Sequence, residues 1–499
     1  MTTIEHHSIK SPVARRVVPT IAGVEMWERF SFYGMQAILA YYLYSTVTEG
    51  GLGMEQTHAT ALLGAYGSLL YLFTFVGGWI SDYLLGPERT LLAGACMLVF
   101  GHLSLSLIPG HAGLIAGLLP IAAGSGLLKT AAITILSAVF ESNSGARAAS
   151  FQVFYCGINI GGLCGPLLTG WLAQRYTYHV GFMAAGALMI LGLLSYLAGR
   201  RHLLKYVGSE VRDVLTMPAE SLGHGERYRA AVIALACCAA GTGAVLWLSP
   251  TTISYLLLAL TVGVAVFLMW NMLRSPLVSA VERTKIRSFL PIFACSVIYW
   301  CLQSQIYGVL AVYSEQRLNR NILGFFIPAA WTQSLNPLFI LLLSPILAAL
   351  FIRFAKHLPR NRTLTSLGVI IAGTGMLLLL PFIGAGAGAT PLFIFAATIL
   401  LMTLGELLVG PIAMAAAGIH APRAFITRFS ALYFLTMAIG SSLAGALSTF
   451  YDPSSPARET AYLAIVGVVP IALGLTLLFR SRMQHAWALS TSRNESFQT

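Results

Sequence analysis

The chain has 499 residues, of which 57% are hydrophobic and only 10% charged, with a mean hydropathy of +0.76. A soluble domain carries about 25% charge, so this chain lacks the charge to cover a water-facing surface; soluble enzymes, nucleic-acid binders and disordered chains are excluded, and the long unbroken apolar runs exclude an outer-membrane barrel. The net charge of +12 then reads as basic loops on one side of a bilayer, not as a nucleic-acid surface.

Apolar runs fall near 18–46, 58–84, 89–108, 111–138, 148–173 and 179–199. Each reaches the roughly 20 residues needed to cross a membrane. A polar stretch over 200–226 follows, then two runs near 228–248 and 252–273, then a basic linker over 274–287. Six more runs lie near 288–313, 323–353, 363–384, 391–418, 425–448 and 460–479. The expected fold class is therefore an all-α polytopic membrane protein with fourteen transmembrane helices. The expected organisation is an N-terminal six-helix bundle over 1–199, a linker over 200–287 carrying an inserted hairpin (228–273), and a C-terminal six-helix bundle with a tail over 288–499. The residues through Val13 are polar and lack the apolar core of a signal peptide. All 7 cysteines sit in apolar runs without metal-type spacing and are expected to be buried hydrophobes.

Basic residues orient the spans. With the N-terminus in the cytoplasm, 24 of the 30 Lys and Arg fall in inner segments, and four, Arg175, Arg317, Arg320 and Arg458, fall in outer ones. Both termini are thus expected to be cytoplasmic. The remaining two, Arg29 and Lys129, lie deep inside spans.

A repeat relates the two six-span halves. Glu28, Lys129 and Gly161 precede Ser304, Glu406 and Gly440 by 276, 277 and 279 residues. Such a repeat predicts a central cavity between the halves. An ionised group at mid-bilayer costs roughly 2.5–3.5 kcal/mol on insertion scales, so the charges kept inside spans are functional candidates: Glu25, Glu28, Arg29, Lys129 and Glu406. Glu25, Glu28 and Arg29 share one helix face at i, i+3 and i+4. Burial and nearby cations act in opposite senses on a carboxylate's proton, so Glu25 or Glu28 is suited to exchange one. Basic groups in one half and a lone Glu406 in the other suit a zwitterion. There is no GxSxG, HExxH or histidine cluster, so an enzyme is not expected.

These residues also sit in motifs. Glu25-Met-Trp-Glu28-Arg29-Phe30-Ser-Phe-Tyr33-Gly34 resembles the ExxERFxYYG motif of the proton-dependent oligopeptide transporters (POT, or PTR) within the major facilitator superfamily. Gly77-Gly78-Trp-Ile-Ser-Asp82-Tyr-Leu-Leu-Gly86-Pro-Glu-Arg89 resembles the superfamily's loop between spans two and three. Phe154-Tyr155-Cys-Gly-Ile158-Asn159-Ile-Gly161, Gln333-Ser-Leu-Asn336-Pro337 and Gly405-Glu406-Leu-Leu-Val-Gly-Pro411 resemble three further family signatures. The resemblance implies the major facilitator fold, two six-helix bundles with the extra hairpin of bacterial members, alternating access, and symport of protons with di- and tripeptides. It implies no cofactor beyond protons, lipid as the surrounding partner, no nucleic acid, and a monomer. Carried residue by residue, it implies that Glu25 and Glu28 couple protons and that Arg29 and Lys129 hold the peptide carboxylate. Glu406, Asn336 and Asn159 would hold the amino end, Tyr33, Tyr66 and Gln305 would line the pocket, and Asp82 with Arg89 would gate.

Several positions depart from the family pattern. Gln36 and Ser304 stand where many members carry an Arg and an acidic residue, so no latch between them is expected. Phe32 replaces a Tyr, Tyr433 a Trp and Gly410 a Ser. These changes bear on substrate preference, and a narrower peptide-like or amino-acid-conjugate substrate is the alternative.

Overall fold

The computed structural model describes residues 12–140, 144–219 and 247–496, with the single positions 223, 225, 226, 229, 232 and 243. In hydrocarbon every backbone polar group must be satisfied within its own segment, and the apolar runs accordingly form helices. In chain order these are α1 (Pro12–Tyr44), α2 (Gln56–Ile80), α3 (Pro87–Leu107), α4 (Gly110–Val139), α5 (Ser144–Arg175), α6 (Tyr178–Tyr206) and the short α7 (Ser209–Thr216). There follow α8 (Pro250–Arg274), α9 (Ala280–Ser304), α10 (Val309–Gln316), α11 (Leu335–Arg353), α12 (Asn361–Leu377), α13 (Leu392–His420), α14 (Ile426–Ser448) and α15 (Pro456–Ser496). A two-stranded hairpin, β1 (Asn321–Ile322) and β2 (Phe325–Phe326), precedes a 3-10 segment over Ala329–Ser334. Twelve described segments are long and apolar enough to cross a bilayer. The 33-residue α1, which carries the buried charges, stands beside them. The first run of the expected central hairpin, 228–248, lies largely outside the described residues. Its second run is α8, of whose most apolar window only 17% is buried, as a peripheral lipid-facing helix requires.

Contacts divide the chain into two compact units, one of Met1–Ser254 with Asn321–Leu341, the other of Tyr255–Arg320 with Leu342–Thr499. In the first, α1 packs on α5 and α6, α3 on α4 and α6, and α2 on α4. In the second, α9 packs on α13 and α14, and α12 on α13 and α15. The segment 321–341 joins the first unit through specific bonds. Trp331 Nε1 donates to Leu167 O at 2.9 Å, and Ser334 Oγ donates to Leu163 O at 2.8 Å.

Two glycines noted in the repeat do the same work in each unit. A Cβ on Gly161 of α5 would lie 2.5 Å from Met26 O and 2.8 Å from Phe30 N of α1. A Cβ on Gly440 of α14 would lie 2.6 Å from Trp300 Cβ and 2.8 Å from Cys301 N of α9. Only a residue without a side chain lets these backbones meet. Each glycine therefore lets two helices of its own unit meet, α5 with α1 and α14 with α9.

Large apolar side chains such as Phe100, Phe267, Phe393 and Phe479 are exposed, as lipid-facing residues are. One expectation about burial is corrected. Cys295 and Cys301 are buried, but Cys96 and Cys156 are exposed, because an apolar run in a membrane helix turns one face to lipid. Cys237 and Cys238 lie outside the described residues. The glycine contacts are directly testable. Gly161→Val and Gly440→Val should each cost about 1–3 kcal/mol by overpacking and lower the Tm of the purified protein in detergent. An unchanged Tm would show that these helices can separate without penalty.

Candidate functional site

The first unit gathers most of the expected site. Glu25, Glu28 and Arg29 follow one another along the inward face of α1, and all three are buried. Arg29 Nε lies 3.2 Å from Glu25 Oε1 and 2.5 Å from Glu28 Oε2. One N–H cannot point at both oxygens, so these are ion contacts rather than paired hydrogen bonds. Ser125 of α4 closes the arrangement. Arg29 Nη2 donates to Ser125 Oγ at 3.0 Å, and Ser125 Oγ donates to Glu28 Oε1 at 2.8 Å. Glu28 is thus held from two sides, whereas no hydrogen bond reaches either oxygen of Glu25 among the described residues.

The charge of this trio decides its chemistry. Two carboxylates share one guanidinium, so Glu25, Glu28 and Arg29 sum to minus one when ionised. A single proton on either carboxylate makes the trio neutral. Lys129 stands one helical turn beyond Ser125 on α4, with its Nζ 5.8 Å from the Tyr71 ring centroid. The rings of Phe32 and Tyr33 lie 5.2 and 5.8 Å from the Arg29 guanidinium carbon. Cations over aromatic faces gain about 0.5–2 kcal/mol, so aromatic rings help hold both cations away from water. Tyr66 stacks on Phe32 at 6.3 Å, and its buried hydroxyl has no hydrogen-bond partner among the described residues.

Asn159 is buried on α5, and its Nδ2 donates to Tyr155 O at 2.8 Å. Asn336 is also buried, at the start of α11. Its neighbour Pro337 and the Tyr33 ring both come within 3.5 Å of the position a Cβ would take on Gly162. Asn336 therefore lies in the first unit, with Tyr33 and Asn159.

Glu406 is half-buried on α13 in the second unit. The Tyr299 hydroxyl is 3.5 Å from Glu406 Oε2, 2.9 Å from Gln303 Oε1 and 3.2 Å from Met402 O. It has one proton for three acceptors, so its bond to Glu406 competes with two shorter ones. Pro411 lies five residues on within the same helix and withholds an N–H from the carbonyl of Leu407. Gln305 is 1% exposed; its Oε1 accepts from the Tyr462 hydroxyl at 3.0 Å, while its buried Nε2 has no hydrogen-bond partner among the described residues. That contact gives Gln305 a helix-packing environment.

Asp82 and Arg89 are both exposed and form no ion pair with each other among the described residues. The buried charge of that loop is Glu88, which sequence reasoning passed over. It is bonded by Arg200 of α6 through Nε and, at 3.0 Å, through Nη2, and by the Tyr196 hydroxyl at 3.2 Å. A carboxylate in the first turn of α3 was the available signal. His102 is a structural residue: Ser31 Oγ donates to Ala185 O at 2.6 Å and lies 2.8 Å from His102 Nε2, so the ring nitrogen donates to the hydroxyl.

The description of the POT family matches residues 88–462 of the chain. A di-/tripeptide transporter of Lactococcus lactis subsp. cremoris is 31% identical over 472 residues, covering 92% of this chain and 93% of that one. A crystal structure of the peptide transporter POT in complex with sulfate is 31% identical, covers 94% of each chain and superposes with a TM-score of 0.87. A POT family transporter in complex with 5-aminolevulinic acid is 29% identical, with a TM-score of 0.88 over 97% of this chain and 99% of that one. The buried charges of α1, the motifs around them and this likeness along nearly the whole chain lead to one conclusion: the chain belongs to the POT family, and is a transporter with the major facilitator fold, not an enzyme.

Proposed function

We propose that the protein is a proton-coupled symporter that imports di- and tripeptides. The observation that carries this is the sharing of the Arg29 guanidinium by two buried carboxylates. Such a trio is one proton short of neutrality, and a substrate carboxylate that takes over part of Arg29 changes which carboxylate keeps a counter-ion. Proton uptake and substrate binding then act on the same guanidinium. Arg29 and Lys129 take the peptide's carboxylate end, and Glu406 takes its ammonium end. A site that grips the constant termini accepts many side chains. Likeness to a relative named a di-/tripeptide transporter supports the choice of peptide. The excess of Lys and Arg on one side supports a cytoplasmic membrane location with both termini inside.

A second substrate class has its own support. Ser304, where many members carry an acid, donates to Trp300 O at 2.8 Å and lies 3.0 Å from Ser441 Oγ, a neutral setting. Gln36 is likewise neutral and buried. A relative of the same family has been crystallised with 5-aminolevulinic acid, an amino acid rather than a peptide. Fewer charges around the site favour smaller peptide-like or amino-acid-conjugate substrates. Competition for uptake between dipeptides and such conjugates decides between the two.

Glu28→Gln removes one carboxylate while keeping its shape. It should reduce uptake driven by a pH gradient by about tenfold or more, while peptide exchange at equal pH continues. Full gradient-driven uptake by that variant would refute the coupling role of Glu28. Lys129→Ala removes a charge-assisted contact worth about 1.5–3 kcal/mol, so peptides with a free C-terminus should bind about 10–100-fold more weakly. Amidated peptides should be affected far less. Equal losses for the two would show that Lys129 does not recognise a carboxylate.

A further inference from the structure

In the second unit, four helices line a cavity of about 870 Å³. The first turns of α9 contribute Arg287, and the start of α12 contributes Arg360 and Arg362. The last residue of α13 is His420, and α15 adds Arg480. None of the residues lining this cavity belongs to the site described above, and none is acidic. Among the described residues, Arg287, Arg360 and Arg480 have no carboxylate within ion-pair distance.

Arginine stays charged at any working pH. Four guanidinium groups drawn into one concavity therefore repel one another and create a strongly positive potential. Elsewhere the chain supplies counter-charges for such groups: Arg200 has Glu88, and Arg317 has Glu459 at 2.8 Å. Here the lining supplies only neutral donors, Thr284, Ser288 and Asn361. The start of α12 adds to the same sign. Arg360 is its N-cap residue and makes no side-chain cap, so the positive end of the helix is left for an anion. The His420 ring is oriented too. Its Nδ1 donates to Ala416 O at 2.8 Å.

We infer that this cavity is a binding site for a phosphate-bearing anion. Guanidinium forks match phosphate oxygens two at a time, and the volume falls in the roughly 300–1,000 Å³ range of small-molecule sites, well beyond the needs of a chloride. The phosphate belongs either to the headgroup of an anionic phospholipid or to a soluble phosphorylated compound. Bound there, it joins α9, α12, α13 and α15 and neutralises the repulsion among their guanidinium groups. The inference does not depend on the peptide and proton roles proposed above.

The test uses the full-length protein in a neutral detergent. Short-chain phosphatidylglycerol and inorganic pyrophosphate are titrated separately against sodium chloride at matched ionic strength, with binding followed by thermophoresis. At least one of the two phosphates should bind saturably beyond the chloride control. Arg287→Gln with Arg480→Gln should weaken that binding by about tenfold or more, as expected from the loss of two charge-assisted contacts. Both side chains are exposed, so folding is not at stake, and Arg287→Lys with Arg480→Lys should recover part of the affinity. Saturation by phosphatidylglycerol alone identifies a lipid site, and saturation by pyrophosphate alone a soluble one. No saturable binding of either, or equal binding by the glutamine variant, overturns the proposal.

Discussion

A guanidinium held between two carboxylates in the middle of an apolar helix bundle constrains everything around it. Arg29 cannot satisfy Glu25 and Glu28 equally: its Nε is at 2.5 Å from one and 3.2 Å from the other. Each charge is too costly to expose to lipid, so α1 must turn this face toward α4 and α5. Gly161 lets α5 approach the backbone of α1 beside Arg29, and Ser125 brings α4 into the hydrogen-bond network. Removing one partner from such a buried set typically costs 3–5 kcal/mol. The bundle is therefore built around the trio as much as the trio is placed by the bundle.

Function follows from the same imbalance. A fully compensated network would be inert, because nothing entering it could improve on the existing pairs. Here the trio is one positive charge short, with Lys129 a helical turn beyond Ser125 to interact with whatever arrives. In the proposed cycle a proton and a substrate carboxylate both act on Arg29, which would provide a physical route for one to influence the other. The basic cavity between α9, α12, α13 and α15 shows the reverse imbalance, an excess of cations. A proton can neutralise the first, and an anion the second.

The helical face of Glu25, Glu28 and Arg29 was legible from spacing alone, because i, i+3 and i+4 leave little freedom in a helix. The spans were legible because the bilayer sets their length, and the family was legible from its motifs. Other features depend on partners far along the chain. Arg200 reads as one more loop cation, yet it serves Glu88, 112 residues away. Asn336 reads as a member of the second half, yet the bonds of Trp331 and Ser334 to α5 hold its segment in the first unit. Gln305 gives no local sign of its partner, yet the Tyr462 hydroxyl, 157 residues on, donates to its oxygen. Side-chain direction and long-range pairing settle such cases, and neither leaves a local pattern. The exposed Cys96 and Cys156 make a related point: apolar character in a membrane chain marks lipid contact as often as core.

Coupled movement of a proton and a peptide can be read by sealing a pH-sensitive dye inside proteoliposomes of the wild-type protein and adding a dipeptide outside, with no initial pH difference. The interior should acidify as the dipeptide enters. Entry of radiolabelled dipeptide without any change in internal pH would show that the peptide crosses without a proton.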